Sequence, residues 1–304
     1  MDDEFIKVEN FEEILSLAKE MVSVGDYKLN FSLKVKYGIE LVKTPQLLDV
    51  STEAEAWQNP VQPTFLQINH GSYIGESGIN HVIEELKIKQ HSNRALVSLI
   101  NQKDIMKSGD NPIPSFMILQ FSQEGNELYV TAYFRALEVS KFLRINIEEA
   151  RIIINQIYKE IPNITNVKLN IFAFRAYVKE QQTTLRKQEI DLMPERQLLI
   201  LMQTNPKKMI TLLKEKLHES TVIENGSLNL INEIINDSSA RATLHKCFSG
   251  ELLKDVLKKA LASSQELMDL RRKTSHNPRI NELNTEYLGY LNRFIEEVEK
   301  CLYQ

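Results

Sequence analysis

The chain has 304 residues, of which 42% are hydrophobic and 26% are charged, and its formal net charge at pH 7 is -4. A chain of this length is typical of about two domains, and this apolar share is enough to bury real cores. The near balance of charges argues against a general nucleic-acid coat or a membrane-surface protein, because both need a strong excess of basic residues.

The sequence also bears on the cellular setting. No window approaches the ~18 uninterrupted apolar residues of a membrane span, so we expect no membrane partner. The N-terminus, MDDEFIKVENFEEIL, lacks the basic and apolar regions of a secretory signal, which predicts a cytoplasmic protein. Two cysteines, Cys247 and Cys301, cannot form a disulfide framework or a thiolate zinc site. Any chemistry before Cys247 must proceed without a thiol, and we expect no metal and no cofactor.

Short β-rich runs alternate with helices in the first part of the chain. Strands are predicted over 95–100, 117–121 and 127–132, and the last two form a hairpin with its turn at Gly125-Asn126. Apolar residues that recur every three or four positions predict an amphipathic helix over 147–161. Alternation predicts another strand over 167–178.

Strand signals mostly vanish after about Met193. Helices are predicted over 198–217, 228–235, 249–272 and 285–302, with a break at the Asn-Asp-Ser-Ser cluster of residues 236–239. The predicted fold class is therefore an α+β domain over residues 1–190, followed by an all-α helical bundle over residues 191–304.

Polar residues at the ends of the predicted elements indicate a first candidate site. Arg94 precedes the first of these strands, Arg135 follows the hairpin and Asn146 lies just before the predicted helix. Arginine presents a rigid fork of donors that suits phosphate, and an asparagine offers both a donor and an acceptor to a base edge. By pattern alone, two surface arginines and a helix-capping asparagine stay open as the alternative.

The stretch from Ser92 to Asn146 resembles thymidylate synthase. That family has SRR followed by N-x-x-D, then LPPCHxLxQF, then YQRSxDxxLGxPFN. This chain has SNRALVSLINQKD, IPSFMILQF and YFRALE, and the stretch ends at RIN. Weaker similarity extends to GINHVIEELK before the stretch and IFAFRAYV after it. The resemblance implies a homodimer that binds a pyrimidine nucleotide of the dUMP or dTMP type.

The resemblance also implies a role for each matching residue. Arg94 would reach the nucleotide phosphate across the dimer interface, and Arg135 would bind the phosphate directly. Asn146 would contact the pyrimidine edge, and Tyr177 the ribose hydroxyl. Gln120 matches the glutamine of the QF pair in the same pocket.

The sequence departs from the family at the nucleophile. Ser115 stands where the catalytic cysteine is expected and Phe116 replaces the following histidine. Further departures are Asn93, Ala136, Glu138 and Arg175. A serine hydroxyl is a far weaker nucleophile unless a base activates it, and no histidine lies near Ser115 in the motif. We therefore expect methyl transfer to be lost while nucleotide recognition, with Ser115 in the pocket, persists. A scaffold with an empty pocket, or a nucleotide-modifying enzyme that uses another group, are the alternatives.

Arg271 and His276 form a second candidate site at the end of a predicted helix. Their spacing lets them face one cleft from successive turns. Histidine can move a proton near neutral pH, and arginine can hold a phosphate and stabilise developing charge. This pair suffices for metal-independent RNA cleavage in which the ribose 2′-hydroxyl is the nucleophile. The segment up to Arg279 is basic and contains no acidic residue, although cations also favour helix C-termini for structural reasons.

The segment LRRKTSH resembles the R-x4-6-H motif of HEPN domains, which are helical bundles with the motif before the final helix. Arg272 stands where that family usually has a polar Asn or Asp. The resemblance implies a ribonuclease site formed by the motifs of two protomers, with Arg271 as phosphate clamp and His276 as proton-transfer residue. Such domains occur widely in toxin and abortive-infection proteins.

The combined prediction is a cytoplasmic, homodimeric toxin or anti-phage defence protein. A degenerate thymidylate-synthase-like domain would sense a pyrimidine nucleotide, and a HEPN-like domain would cleave RNA. The alternative from a different class is a non-catalytic nucleotide-binding or antitoxin-like assembly protein.

Other titratable residues have structural interpretations. His70, His81 and His91 are not spaced like metal ligands, so we predict surface or packing roles for them. The pair Glu148-Glu149 is predicted to lie on a solvated helix face. No function is assigned to these residues from the sequence.

Overall fold

The computed structural model describes residues 4–22, 27–106, 112–179, 185–218, 222–274 and 277–303. The chain divides into two compact units, one of residues 1–106 and 113–184 and the other of residues 107–112 and 185–304. The first unit is mixed α/β and the second is helical. Each has its own hydrophobic core, and Ile190 belongs to the second core.

The described part of the first unit is built on a seven-stranded mixed sheet. Its strands are β1 (Ile6–Lys7), β2 (Tyr27–Gly38), β3 (Leu96–Ser98), β4 (Phe116–Glu124), β5 (Glu127–Phe134), β6 (Leu137–Glu138) and β7 (Asn166–Tyr177). Their order is β1-β2-β7-β5-β4-β3, and β6 pairs with β7. The β5-β7 and β6-β7 pairs are parallel, whereas β2-β7, β4-β5 and β3-β4 are antiparallel.

Helices cover one face of this sheet. The helices of the unit are α1 (Phe11–Glu20), α2 (Glu40–Lys43), α3 (Ser51–Gln58), α4 (Gly71–Ile74), α5 (Gly78–Ile88), α6 (Gln102–Met106) and α7 (Phe142–Glu160). Apolar side chains of α1, α5 and α7 pack with alternate strand residues into the first core. The predicted hairpin is confirmed, and Gly125 at its turn has a positive φ of 60°, which favours glycine.

The second unit begins with a short 3-10 helix (Glu189–Leu192). It continues with α8 (Glu195–Thr204), α9 (Pro206–Lys216), α10 (Gly226–Asn236), α11 (Ser238–Arg241), a second 3-10 helix (Lys246–Phe248), α12 (Glu251–Lys273) and α13 (Arg279–Tyr303). Along the described ranges, no helix combines the length and the apolar character that crossing a membrane requires.

One predicted helix proves to be two. The helix predicted over 198–217 is interrupted between α8 and α9, where Pro206 lacks the N–H that an unbroken helix needs. The side chain of Asn205 accepts a hydrogen bond from the Lys208 backbone at 3.1 Å and caps the second segment. The break predicted at residues 236–239 is confirmed, since α10 ends there.

Candidate functional site

Three of the predicted nucleotide-site residues meet at one end of the sheet. Ser115 comes immediately before β4, Arg135 comes immediately after β5, and Tyr177 is the last residue of β7. The ends of β4 and β5 lie side by side, and β7 runs beside β5 but continues four residues past its end, because Ala173 is the residue opposite Phe134. The backbone N–H of Arg135 donates to the carbonyl oxygen of Ser115 at 3.0 Å. We call this group the sheet-end site.

The guanidinium of Arg135 is oriented by the loop that precedes β4. Its Nε donates to the carbonyl oxygen of Pro114 at 3.2 Å, and its Nη2 donates to that of Ile113 at 3.1 Å. Desolvation of the group lowers the pKa of Arg135, and the nearby Tyr177 hydroxyl acts in the opposite direction. An arginine stays protonated in proteins, so the sheet-end site carries a fixed positive charge.

A β-bulge at the start of β4 turns Phe116 into the core. The register between β4 and β5 shifts between Phe116 and Ile118, and Phe116 is only 1% exposed. Its ring stacks on Phe134 with 4.4 Å between centroids and meets the ring of His70 at 5.6 Å in an edge-on arrangement. The residue after Ser115 therefore lies against a buried imidazole.

This imidazole belongs to a buried polar cluster centred on Glu149 of α7. The Glu149 carboxylate lies 2.8 and 3.0 Å from His70 Nδ1, 2.7 Å from Gln58 Nε2 and 2.8 Å from Asn146 Nδ2. Exposure is 2% for His70, 6% for Asn146 and 0% for Glu149. The amide groups of Gln58 and Asn146 donate an N–H to this carboxylate, and His70 Nδ1 lies within hydrogen-bond distance of both of its oxygens. We call these four residues the Glu149 cluster.

The cluster corrects the prediction of a solvated Glu148-Glu149 face, because both residues are 0% exposed. The helix α7 packs against α2, α3 and α5 as well as against the sheet, which leaves little of its surface in water. Glu148 pairs with Arg151, with 2.5 Å between Oε1 and Nε. Arg151 also donates to the carbonyl oxygen of Val42 at 3.0 Å.

Gly71 allows the chain to deliver His70 to this cluster. A Cβ at Gly71 would lie 2.2 Å from the backbone oxygen of Asn59 and 2.3 Å from that of Gln58, closer than real side chains come. Only glycine therefore permits α4 to begin against the end of α3. The His70 backbone N–H donates to the Trp57 carbonyl oxygen at 2.9 Å in the same contact.

Glu138 fixes the first turn of α7 and so the position of Asn146. Its carboxylate accepts hydrogen bonds from the backbone N–H groups of Ser140 at 2.9 Å, Lys141 at 2.7 Å and Phe142 at 3.1 Å. These donors have no partner inside the helix, and a negative charge is favourable at a helix N-terminus. This cap explains why α7 begins before the helix that apolar periodicity predicted.

Gln120 and Arg94 lie away from the sheet-end site. Gln120 is in the middle of β4, on the sheet face opposite the core. Arg94 is exposed and lies two residues before β3. Continuing the β3-β4 pairing by these two residues places Arg94 beside Ser122. That position is roughly 20 Å from Ser115 at about 3.3 Å per strand residue. Within one chain, therefore, Arg94 does not lie near Arg135.

In the helical unit, Arg271 lies in the last turn of α12 and α13 follows it. Arg271 is half-buried, and the long helices α12 and α13 pack against each other. His276, the other residue of the predicted pair, lies outside the described residues. Arg271 therefore lies at the end of one helix and before the final helix, as the sequence predicted.

Acidic side chains pair with part of the basic segment around Arg271. Arg279 pairs with Glu286 at 2.7 Å and with Glu282 at 3.0 Å, and Arg272 pairs with Asp269 at 3.2 Å. These acids lie just outside the segment that runs from Arg271 to Arg279, at helical spacing from their partners. Acids outside the segment therefore balance part of its positive charge.

A second buried charge pair connects the first 3-10 helix to α9. Lys216 Nζ lies 2.8 Å from Asp191 Oδ2, and the exposed fractions of the two side chains are 0% and 2%. Lys216 also donates to the carbonyl oxygen of Glu224 at 2.9 Å, and Ser227 donates to the other oxygen of Asp191. Burial and the nearby Asp191 charge raise the pKa of Glu224.

The two cysteines lie next to each other in the helical unit. Burial and a hydrogen bond with the Cys301 thiol raise the pKa of Cys247 to about 12. A thiol in this state provides almost no thiolate near neutral pH. Cys247 is therefore a packing residue and an inert thiol.

No protein-family model matches the sequence, and no curated protein matches it. The resemblances to thymidylate synthase and to HEPN domains therefore stay predictions from the sequence motifs. Across the described ranges, no three His, Cys, Asp or Glu side chains are grouped as a metal site would require.

Proposed function

We propose that the first unit binds a pyrimidine nucleotide without methylating it, and that the helical unit cleaves RNA. The observation that carries the nucleotide half is the meeting of Ser115, Arg135 and Tyr177 at one end of the sheet. These residues come from three separate motifs of the thymidylate synthase resemblance. Asn146, from a fourth position, is linked to the residue after Ser115 through the Glu149 cluster.

The contacts of Arg135 support a phosphate role. Two of its N–H groups donate to backbone carbonyl oxygens, which orients the planar fork. An arginine has five N–H donors in a fixed geometry, so donors remain for the oxygens of a phosphate. The contacts described for His70 are with Glu149, Trp57 and Phe116, and none of them is with the Ser115 hydroxyl. This arrangement supports recognition without nucleophilic attack.

We expect Arg135→Ala to weaken dUMP binding by roughly 10- to 150-fold, because a hydrogen bond to a charged group contributes about 1.5–3 kcal/mol. Isothermal titration calorimetry with dUMP measures the change, and Arg196→Ala, an exposed arginine of α8, is the matched control. A wild-type chain that binds none of dUMP, dTMP and dCMP contradicts the proposal. Isotope exchange at C5 of dUMP by the wild type points instead to a nucleotide-modifying enzyme.

We propose a homodimer formed through the sheet face opposite the core, which we call the outer sheet face. Half-exposed side chains on it include Tyr129 and Tyr133 of β5 and Phe172 of β7. Lys168 on this face pairs with Glu127 at 2.8 Å, so its charge is balanced. Aromatic side chains of this kind suit a contact with a second copy of the same face across a two-fold axis. A dimer would also let Arg94 of one protomer serve the site of its partner, as the resemblance implies.

We expect Phe172→Arg to convert the dimer to a monomer, because two like charges would face each other near the two-fold axis. Light scattering coupled to size-exclusion chromatography measures the mass. The control is Ile88→Arg, since Ile88 is 83% exposed at the end of α5 and also apolar. An unchanged dimer mass in Phe172→Arg, or a monomeric wild type, refutes this interface.

For the helical unit, the proposal is metal-independent RNA cleavage by Arg271 and His276. Its support is the position of Arg271 in the last turn of α12, directly before the final helix α13. The proposed dimer would bring two copies of the motif into one particle, as a composite site requires. The non-catalytic, antitoxin-like alternative differs in one measurable respect, since it leaves RNA intact.

A further inference from the structure

We propose that Cys247 and Cys301 form a redox-responsive pair, in which a peroxide oxidises Cys301 and the Cys247 thiol then closes a disulfide between the second 3-10 helix and the end of α13. Neither the nucleotide proposal nor the RNA proposal uses these two thiols. The modification would be confined to the helical unit, and a thiol reductant would reverse it.

The two cysteines come from distant parts of the helical unit and meet at its core. Cys247 is the middle residue of the 3-10 helix Lys246–Phe248 and is 1% exposed. Cys301 lies in the last turn of α13, which packs against this 3-10 helix. A hydrogen bond joins the two side chains, and both are free thiols in the structure. They are therefore neighbours that share no covalent bond.

Exposure gives the two sulfurs different roles. Cys301 is half-exposed, so a small oxidant reaches its thiol, whereas Cys247 is buried. Burial, together with the hydrogen bond with Cys301, raises the pKa of Cys247 to about 12. The Cys247 thiol is therefore inert toward a peroxide in solution, because the thiolate is the reactive form. The first attack on the oxidant belongs to Cys301.

The reaction with hydrogen peroxide has two steps. The Cys301 thiolate attacks one peroxide oxygen, the O–O bond breaks, and the other oxygen leaves as hydroxide, which becomes water with the proton that the thiol released. Cys301 is now a sulfenic acid. The Cys247 sulfur then attacks the Cys301 sulfur, the S–O bond breaks, and the released hydroxyl forms water with the Cys247 proton. Two thiols and one peroxide give one disulfide and two waters.

Proximity makes the second step feasible although Cys247 is a weak acid. A pKa of about 12 leaves Cys247 with roughly a thousandth of the thiolate of an ordinary cysteine. Well-oriented groups within one molecule react as if one were present at about 10⁵ M or more, which exceeds this loss. The sulfurs must approach to about 2.05 Å. Cys301 can make this movement, since α13 ends shortly after it at Tyr303 and helix ends fray.

The disulfide would close a loop that contains most of the last two helices. Residues 247–301 include all of α12, most of α13 and Arg271. Cross-linking a long loop stabilises a fold chiefly by restricting the unfolded chain. We therefore expect oxidation to raise the unfolding temperature of the helical unit by roughly 5–15 °C.

The test exposes the reduced full-length chain to hydrogen peroxide. Because the chain has two cysteines, one disulfide within it removes both titratable thiols and the mass of two hydrogen atoms. We expect this product in the wild type, its reversal by dithiothreitol, and the higher unfolding temperature measured by circular dichroism. Cys301→Ser is the matched variant, since it replaces the half-exposed sulfur by an oxygen. With peroxide it should keep Cys247 as a free thiol and show no rise in unfolding temperature.

Three results with the wild type overturn the inference. The chain keeps both thiols in excess peroxide, or Cys301 gains oxygen while Cys247 stays a thiol, or a disulfide joins two chains, which non-reducing electrophoresis detects. Cys247→Ala examines the first step alone. Its Cys301 should retain the sulfenic acid and react with dimedone, whereas the wild type should react much less because Cys247 consumes this intermediate. Equal labelling of the two proteins also overturns the inference.

Discussion

His276→Ala is expected to lower the rate of RNA cleavage by about 100- to 10,000-fold, the range that general acid–base catalysis contributes. On the proposed mechanism, the imidazole transfers the proton when the ribose 2′-hydroxyl attacks the neighbouring phosphate. Arg271, in the last turn of α12, holds that phosphate and stabilises the charge that develops on it. Cleavage of a labelled single-stranded RNA by purified protein, with and without a chelator, measures the rate. The chelator is expected to have no effect.

The neighbouring arginine supplies the control for this experiment. Arg272 lies beside Arg271 in the chain, is exposed and pairs with Asp269 at 3.2 Å. Arg272→Ala removes one positive charge from the same helix end, so a general loss of RNA attraction would appear there too. We expect Arg271→Ala to abolish cleavage and Arg272→Ala to retain most of it. Equal losses in both variants, or no cleavage by the wild type, favour the non-catalytic assembly protein.

Local patterns predicted much of the fold. The hairpin of β4 and β5 was predictable because alternation and a Gly-Asn turn lie within one short stretch. The strand β7 and the helix α12 were predictable from periodicity for the same reason. The twelve residues of β2 (Tyr27–Gly38) were not predicted. Lysines alternate there with Phe31, Leu33 and Val35, and the apolar side chains face the core.

The Glu149 cluster was beyond prediction from the sequence. Two adjacent glutamates on a helix usually mark a solvated face, and their burial depends on partners that are remote in the chain. Gln58 and His70 reach Glu149 only because α3, α4 and α7 pack together. A weak signal was present, since Glu148 and Glu149 stand between the isoleucine-rich segments RINI and ARIII. The grouping of Ser115, Arg135 and Tyr177, in contrast, was implied by the resemblance to thymidylate synthase.

Lys216→Met is expected to lower the free energy of unfolding of the helical unit by about 3–5 kcal/mol, the effect of removing one partner from a buried ion pair. The substitution leaves the Asp191 carboxylate without its cation in a place where only 2% of that side chain meets solvent. It also removes the hydrogen bond from Lys216 to the carbonyl oxygen of Glu224. Urea unfolding followed by circular dichroism measures the loss in the transition of the helical unit.

Two further variants show whether the loss comes from the stranded charge. In Lys216→Met/Asp191→Asn a neutral carboxamide replaces the carboxylate of Asp191. Its side-chain oxygen can still accept the hydrogen bond from Ser227. We therefore expect the double variant to regain a large part of the lost stability, since no buried charge remains unpaired. Lys214→Met is the surface control, because Lys214 is half-exposed in its pair with Glu299 and such pairs contribute about 0–1 kcal/mol. A Lys216→Met variant as stable as Lys214→Met would show that the buried pair does not hold the 3-10 helix against α9.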